Sequence, residues 1–416
     1  MQYRQFGKLG WLVSALGFGS LHFPPLKDKA GDARKRAGNL QQIVSGKWID
    51  EDETIRLIRY AVDHGVNYLD TAYAYYQGAS ETIVGQALKD GYRDKIRLVT
   101  KMPSWQIQTA ADFDKCLDEQ FERLQVDYVD LYLLHNMNRV LWPKLRDLGV
   151  REWAEKAIAG GRFGHLGFSF HDDFDTFKQI VDEYDWPMCL IQYNYLDIEN
   201  QAGVRGLKYA AAKGMAVAIM EPLRGGNLVV PPPSVQAVWD SAETKRTPVA
   251  WGLQWLWNQP EVSVVLSGMS SMAQLKENIA IAEASRVGSL TADELALYGR
   301  VRAQYTKLNA TPCGGCRYCM PCSQGVDIPL NMKIYNEGLQ FGQDSARLQY
   351  DRLKFVAESV KGIVAPNVRA EKCIRCKACE AKCPQFIPIS RWMPVIHRAL
   401  GENGPYVNSL AQVDPT

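Results

Sequence analysis

Membrane spans, net charge and, over most of its length, cysteine are nearly missing from this 416-residue sequence. No window approaches the roughly 18 continuous apolar residues that a membrane helix needs. The N-terminus, Met1-Gln-Tyr-Arg-Gln-Phe-Gly-Lys8, has no apolar segment of the kind a secretory signal carries. The expectation is a cytoplasmic protein with no membrane contact. Its 48 basic residues face 46 acidic ones, for a net charge of +2, which gives no ground for nucleic-acid binding or a charged tail. Of ten cysteines, only Cys116 and Cys189 precede residue 312, and both sit in apolar helix and strand patterns expected to bury them. The other eight fall in two tight clusters. A small disulfide-stapled secreted scaffold is thereby excluded, and in a cytosolic chain such clusters read as metal binding.

From residue 13 to 285, short β-rich apolar runs alternate with segments of helical periodicity. The strand candidates are Val13–Gly19, Tyr68–Ala72, Ile96–Lys101, Val129–His135, Gly164–Ser169, Cys189–Asn194, Ala216–Met220 and Val262–Ser267. Helix-like stretches such as Asp50–Gly65 and Ala111–Gln125 follow them, and Gly65, Gly161 and Gly214 stand where helices end in a left-handed cap. Near-continuous apolar strands alternating with helices imply a parallel sheet, and eight repeats fit an α/β fold, the closed (β/α)8 TIM barrel. Tyr3–Val13, with Gly7 and Gly10, reads as a hairpin placed to plug the barrel bottom. Residues 1–290 form the expected barrel domain, 291–308 a helical connector, and 309–416 a second domain with 13 basic and 9 acidic residues, or +4. The loop between the first strand and Asp50, including Lys27–Arg36, is far longer than a barrel requires. It reads as a lid, a substrate contact, a docking surface or a solvated insertion.

Ionisable residues close three successive strands: Asp70, Lys101 and His135. Such ends converge at the C-terminal mouth of a barrel, where active sites lie. Tyr73, Tyr75 and Tyr76 come just beyond Asp70. A tyrosine beside an ammonium is a candidate general acid, because positive charge favours phenolate and draws the phenol toward the working pH. A carboxylate would hold that lysine in place, and the histidine would orient a carbonyl.

The thiols stand at 313, 316, 319 and 322, then at 373, 376, 379 and 383. Structural zinc takes well-separated pairs. Three ligands at this spacing plus a fourth follow the bacterial ferredoxin run for a 4Fe-4S cluster, whose fourth cysteine serves the other cluster. The reading is two 4Fe-4S clusters, with zinc the alternative. Crossover assigns Cys313, Cys316, Cys319 and Cys383 to one, and Cys373, Cys376, Cys379 and Cys322 to the other. The first set departs from the run, with two residues rather than three before Cys322 and Ser323 in place of proline. Gln343–Lys361, between the sets, reads as helix, so the domain is expected to be mainly helical and ferredoxin-like. Lys372, Arg375, Lys377 and Lys382 outnumber Glu371 and Glu380 around the second set, a charge that offsets a cluster, steers an acidic carrier or is a solvated face.

Tyr68-Leu-Asp-Thr-Ala-Tyr-Ala-Tyr75 with Ser80-Glu81, Val99-Thr-Lys101 and Asp130-Leu-Tyr-Leu-Leu-His135 resemble the signature segments of the aldo-keto reductases. The resemblance selects Tyr75 and implies a tetrad of Asp70, Tyr75, Lys101 and His135 that protonates a carbonyl oxygen while hydride arrives from a nicotinamide. It places NAD(P)H against Ser169, Gln192, Met220, Leu223, Gly268, Gln274 and Asn278. Phe170 and Met220 replace the family's asparagine and stacking aromatic residue, while Gly268 and Gln274 fall where cations often meet the 2′-phosphate, so no NADPH preference is expected. With the cysteine-rich tail, the whole chain resembles the iron-sulfur aldo-keto reductases of anaerobic bacteria and archaea. Gly167-Phe-Ser-Phe-His-Asp172, Gln192-Tyr-Asn-Tyr-Leu-Asp197 and Met220-Glu-Pro-Leu-Arg-Gly-Gly226 look typical of that branch.

Three functions follow from these readings. One is a redox enzyme acting on a carbonyl or alcohol, whose clusters relay electrons to or from ferredoxin, another carrier or NAD(P). Another is an NAD(P)H-dependent carbonyl reductase with structural or redox-sensing clusters. The third is a non-catalytic electron-transfer adaptor, against which the intact tetrad argues.

Overall fold

A computed structural model describes residues 1–26, 48–359 and 368–412. Lys27–Arg36 and the last two residues of the helix expected at Gln343–Lys361 lie outside the described residues. Among those described, one compact unit takes Met1 to Ala296 apart from Pro231–Ala242, and the other takes Pro231–Ala242 and the chain from Leu297.

In the first unit, β1 (Tyr3–Gln5) pairs antiparallel with β2 (Leu12–Ser14). Eight further strands close a parallel barrel: β3 (Leu16–Gly19), β4 (Tyr68–Asp70), β5 (Arg97–Met102), β6 (Val129–Met137), β7 (Phe163–Phe170), β8 (Met188–Gln192), β9 (Ala216–Met220) and β10 (Val264–Ser267). β10 pairs with β3 to seal it. The run expected as one strand over Val13–Gly19 is therefore two. Val13 pairs with Arg4 in the hairpin, whereas Leu16 pairs with Val265 in the barrel. Between them the Ser14 hydroxyl donates to the Leu16 carbonyl at 2.7 Å, fixing the turn locally.

The hairpin closes the barrel bottom. Phe6 is fully buried among Tyr68, Val99, Leu131, Met188 and Val264, with its ring 5.6 Å from that of Tyr68. Gly7 makes the approach possible: at φ +51° a Cβ there would lie 2.4 Å from the Ala216 nitrogen. Helix α1 (Glu51–Asp63) starts where the Asp50 carboxylate accepts from the Glu53 amide at 3.0 Å. It ends at Gly65, which is left-handed, as are Gly161 and Gly214. α2 (Ala79–Ala87) and α3 (Ala111–Leu124) pack together, and α3 lies against β5.

The second unit is mainly helical. Ile328–Phe341, Gln343–Ser359 and Ile389–Gly401 are among its long helices, and Ile328, Met332, Tyr335, Tyr350, Trp392 and Ile396 belong to its core. Asp327 caps the first of them through the Leu330 amide at 3.2 Å. The Tyr335 hydroxyl donates to the Val407 carbonyl at 3.0 Å, tying the C-terminal chain to that core.

Candidate active site and cysteine cavities

Parallel register brings the ends of β4, β5 and β6 side by side, with Asp70 opposite Val99 and Lys101 opposite Leu133. The Lys101 ammonium is buried and forms an ion pair with Asp70. It also donates to the Thr71 carbonyl at 2.7 Å and the Tyr75 hydroxyl at 3.2 Å. The other two tyrosines are engaged elsewhere: Tyr73 donates to Glu119 at 2.7 Å, and Tyr76 accepts from the Phe23 amide at 2.9 Å. Tyr75 reaches the mouth on a tight turn in which Tyr76 and Gln77 are left-handed. His135 meets it edge-on with ring centroids 5.9 Å apart.

Burial acts to lower the Lys101 ammonium, but Asp70 and Tyr75 outweigh it and hold it charged. The Tyr75 phenol is pushed up by burial; Lys101 pulls it down, while Asp70 and Glu221 add to the rise. The expected drawing of Tyr75 toward the working pH is thus overturned, because desolvation exceeds the lysine's effect. The phenol holds its proton, as a donor must. Burial, then Lys101 and His171, push His135 well down, so its imidazole is neutral. Its Nδ1 and the second oxygen of Asp70 are buried without hydrogen-bond partners.

Behind Lys101 lies a buried network that sequence reasoning missed. Glu81 accepts from Thr100 and Gln120, each at 2.6 Å, and pairs with Arg123 at 3.1 Å. Gln120 also donates to the Lys101 carbonyl at 3.2 Å. Burial pushes Glu81 up to about 7. Trp105, with its ring 5.2 Å from that of His135, was also missed. The available signal was its place in Pro103-Ser-Trp105, just past the third barrel strand.

The residues expected around a nicotinamide lie at the ends of β7 to β10, largely engaged with the chain itself. The buried Ser169 hydroxyl accepts from the Asn136 amide at 2.8 Å. Gln192 donates to Asp197 at 3.5 Å and accepts from Gln201 at 2.7 Å. Asp197 also meets Arg224 at 3.1 Å. Met220 packs against the barrel interior, and Leu223 covers Gly252 so closely that a Cβ there would lie 2.5 Å from it. Gly268 abuts His22, whose ring would stand 2.8 Å from a Cβ. Gln274 is exposed and accepts from the Ser270 amide at 2.8 Å, while buried Asn278 donates to Ser267 at 3.0 Å. None of the seven carries the positive charge that would pair with a 2′-phosphate.

In the helical unit, one cavity is lined by Cys313, Cys316, Cys319 and Cys383. A second is lined by Cys322, Cys373, Cys376 and Cys379, and Cys319 borders it too. Burial raises the Cys313 thiol, and the neighbouring Cys316 and Cys383 raise it further. Burial lifts Cys379 to about 11. Among the described residues no three of His, Cys, Asp or Glu converge as ligands of one metal ion. Four thiols to each cavity are the donor set that an iron-sulfur cluster takes. Cys116 and Cys189 are buried far along the chain from these sets, as their apolar patterns implied.

A closed (β/α)8 barrel presenting a lysine-bonded phenol at its mouth, with a thiol-lined helical unit after it, defines an oxidoreductase class. Residues 40–231 match the aldo/keto reductase family, whose members are oxidoreductases, and residues 312–387 match the 4Fe-4S dicluster domain. In order along the chain, one stretch is thus similar to the aldo/keto reductase family and a later one to the 4Fe-4S dicluster domain. The aldo-keto reductase YhdN of Bacillus subtilis is 35% identical over 176 residues, which is 39% of this chain and 49% of that protein, so the match spans about half of that relative. L-galactose dehydrogenase of Arabidopsis thaliana is 26% identical over 67% of this chain and 88% of its own. A solved aldo-keto reductase of Bacillus halodurans, in its holo form, superposes with a TM-score of 0.59 at 25% identity, over 72% of this chain and 96% of that one. One from Klebsiella pneumoniae, solved with NADPH, shares the fold with a TM-score of 0.55 at 22% identity, over 73% and 96%.

Proposed function

We propose that this chain interconverts a carbonyl and an alcohol at the barrel mouth, and that two 4Fe-4S clusters in the helical unit relay electrons to or from a redox partner. One observation carries the proposal: the Tyr75 hydroxyl, alone among the three tyrosines, is bonded to a lysine that is itself held by a buried aspartate. Reduction of a carbonyl adds a hydride at carbon, which a bound nicotinamide nucleotide would supply, and a proton at oxygen. Tyr75 delivers one proton to the oxygen, and in the reverse direction it takes that proton back. Lys101 stabilises the phenolate left behind, Asp70 keeps Lys101 charged and oriented, and neutral His135 directs the carbonyl oxygen toward the phenol.

Cys313, Cys316, Cys319 and Cys383 are proposed to hold one cluster, and Cys322, Cys373, Cys376 and Cys379 the other. The sorting of these thiols into two cavities supports that division. Bound there, the clusters supply one-electron transfers. A nicotinamide nucleotide would be held at Ser169, Gln192 and Asn278 and would supply or take up the hydride; it meets no cation among the expected contacts, so no NADPH preference is proposed. Among the described residues no helix is long and apolar enough to cross a membrane, in keeping with a proposed cytoplasmic location.

Tyr75→Phe removes the proton donor and keeps the ring. Turnover of a carbonyl substrate should fall by about 10²- to 10⁴-fold with iron content unchanged. Full turnover in that variant refutes the mechanism. Tight binding of NADH or NADPH, with turnover that survives cysteine substitution, establishes instead a simple carbonyl reductase with structural clusters.

A further inference from the structure

The rims of the two cysteine cavities differ in charge. At the first, Arg317 is exposed but paired with Asp327 at 3.1 Å, so the rim is neutral. At the second, exposed Lys377 and Lys382 line the cavity, and exposed Lys372 and Arg375 flank its cysteines in sequence. The nearby acids are already engaged. Glu380 accepts from the Ser390 amide at 2.7 Å at the start of the helix Ile389–Gly401, and Glu371 faces Arg369 at 3.7 Å and His397 at 3.9 Å. Among the described residues none of the four cations is paired with a carboxylate. Among them, on the same rim, Ile374 stands 62% exposed. An exposed apolar side chain beside unpaired charge of one sign has the composition of a protein interface. Unpaired rim charge chiefly governs encounter rate and partner choice.

We infer that the face around Ile374 is the docking port for a small acidic one-electron carrier protein. Electrons then enter or leave through the set Cys322, Cys373, Cys376 and Cys379. Each encounter moves one electron: the carrier is oxidised, the chain is reduced, and no atom is transferred, or the reverse. The competing role for these cations is to compensate a cluster's negative charge. Arg375 stands between two of the thiols in sequence, Cys373 and Cys376, whereas Lys377 and Lys382 stand exposed on the cavity rim. The lysines are therefore the residues that separate docking from tuning.

The inference rests on the proposed clusters, so iron and sulfide analysis of the anaerobically purified full chain is run beside it. Finding no iron-sulfur cluster sinks that parent reading alone, because association with a carrier is measured separately. The probes are an acidic bacterial ferredoxin and, as the opposite charge, basic mitochondrial cytochrome c. The variants are Lys377→Glu/Lys382→Glu, its milder form Lys377→Gln/Lys382→Gln, and Arg317→Gln on the other rim. The expected result is ferredoxin association with the unaltered protein that weakens with salt. The glutamate variant should lose about tenfold or more in affinity and electron-transfer rate and show a flatter salt dependence. The glutamine variant should fall between, Arg317→Gln should change little, and cytochrome c should show no matching loss. The inference is overturned if the unaltered protein does not bind ferredoxin, if the lysine variants bind it undiminished, if Arg317→Gln weakens binding equally, or if the lysine variants shift only the reduction potential.

Discussion

Replacing Lys101 by methionine keeps the length of the side chain and removes its charge. The ammonium is 1% exposed and serves three groups: the Asp70 carboxylate, the Thr71 carbonyl at 2.7 Å and the Tyr75 hydroxyl at 3.2 Å. Without it Asp70 becomes an unpaired buried charge, a change that costs about 3–5 kcal/mol. The orphaned carbonyl contributes about 1–3 kcal/mol, which overlaps with the first term rather than adding to it. Burial already pushes the Asp70 carboxyl up and Lys101 opposes it, so in the variant only the upward push remains. A carboxyl whose folded pKa exceeds its unfolded value, about 3.9, contributes stability fully present below that value and lost as pH rises through the folded one. The deficit of Lys101→Met should therefore be smaller near pH 5 than at pH 8. Asp70→Asn added to Lys101→Met removes the stranded charge and should recover most of the loss. Anaerobic guanidinium unfolding followed by tryptophan emission reads this out, since ten of the eleven tryptophans precede residue 260. A loss below about 1 kcal/mol at pH 8, or a double variant no better than the single one, refutes the ion-pair account.

Cys322→Ser should damage the cluster of Cys373, Cys376 and Cys379 first, seen as a fall from about eight to about four irons per chain and loss of one EPR signal; loss of the other cluster would mean that four local thiols hold one. Phe6→Ala empties the barrel bottom and should cost about 3–5 kcal/mol in denaturant unfolding, whereas a near-neutral result would show that the hairpin does not plug the barrel. Fluorescence titration should find NADPH bound no more tightly than NADH, because a cation on the 2′-phosphate is worth about 1.5–3 kcal/mol and the expected positions, Gly268 and Gln274, carry none; a preference above tenfold would contradict this.

Much of the barrel was legible because its cause is local. Strand-length apolar runs alternating with amphipathic helices must close into a buried parallel sheet, and Gly65, Gly161 and Gly214 mark helix ends because only a residue without a Cβ adopts φ > 0 at low cost. Asp70, Lys101 and His135 were legible as a group because parallel strands bring their C-terminal ends to one mouth. The cysteine spacing reflects what a short loop can wrap. Other features depend on groups distant in sequence. The hairpin takes Val13 away from the barrel strand through pairing with Arg4. Tyr75 differs from its neighbours because Glu119 and Phe23 claim the other two tyrosines. The Glu81 network joins α2, β5 and α3, and no window of sequence displays it. The rise of the Tyr75 phenol is a property of burial, which the chain acquires only when folded. The sequence by itself determined the number of barrel strands, the strand ends that carry ionisable residues and the two sets of thiols. Only the tertiary structure decided which tyrosine is bonded to the lysine, which side chains are spoken for and which cysteines share a cavity, because contact, desolvation and charge act through space rather than along the chain.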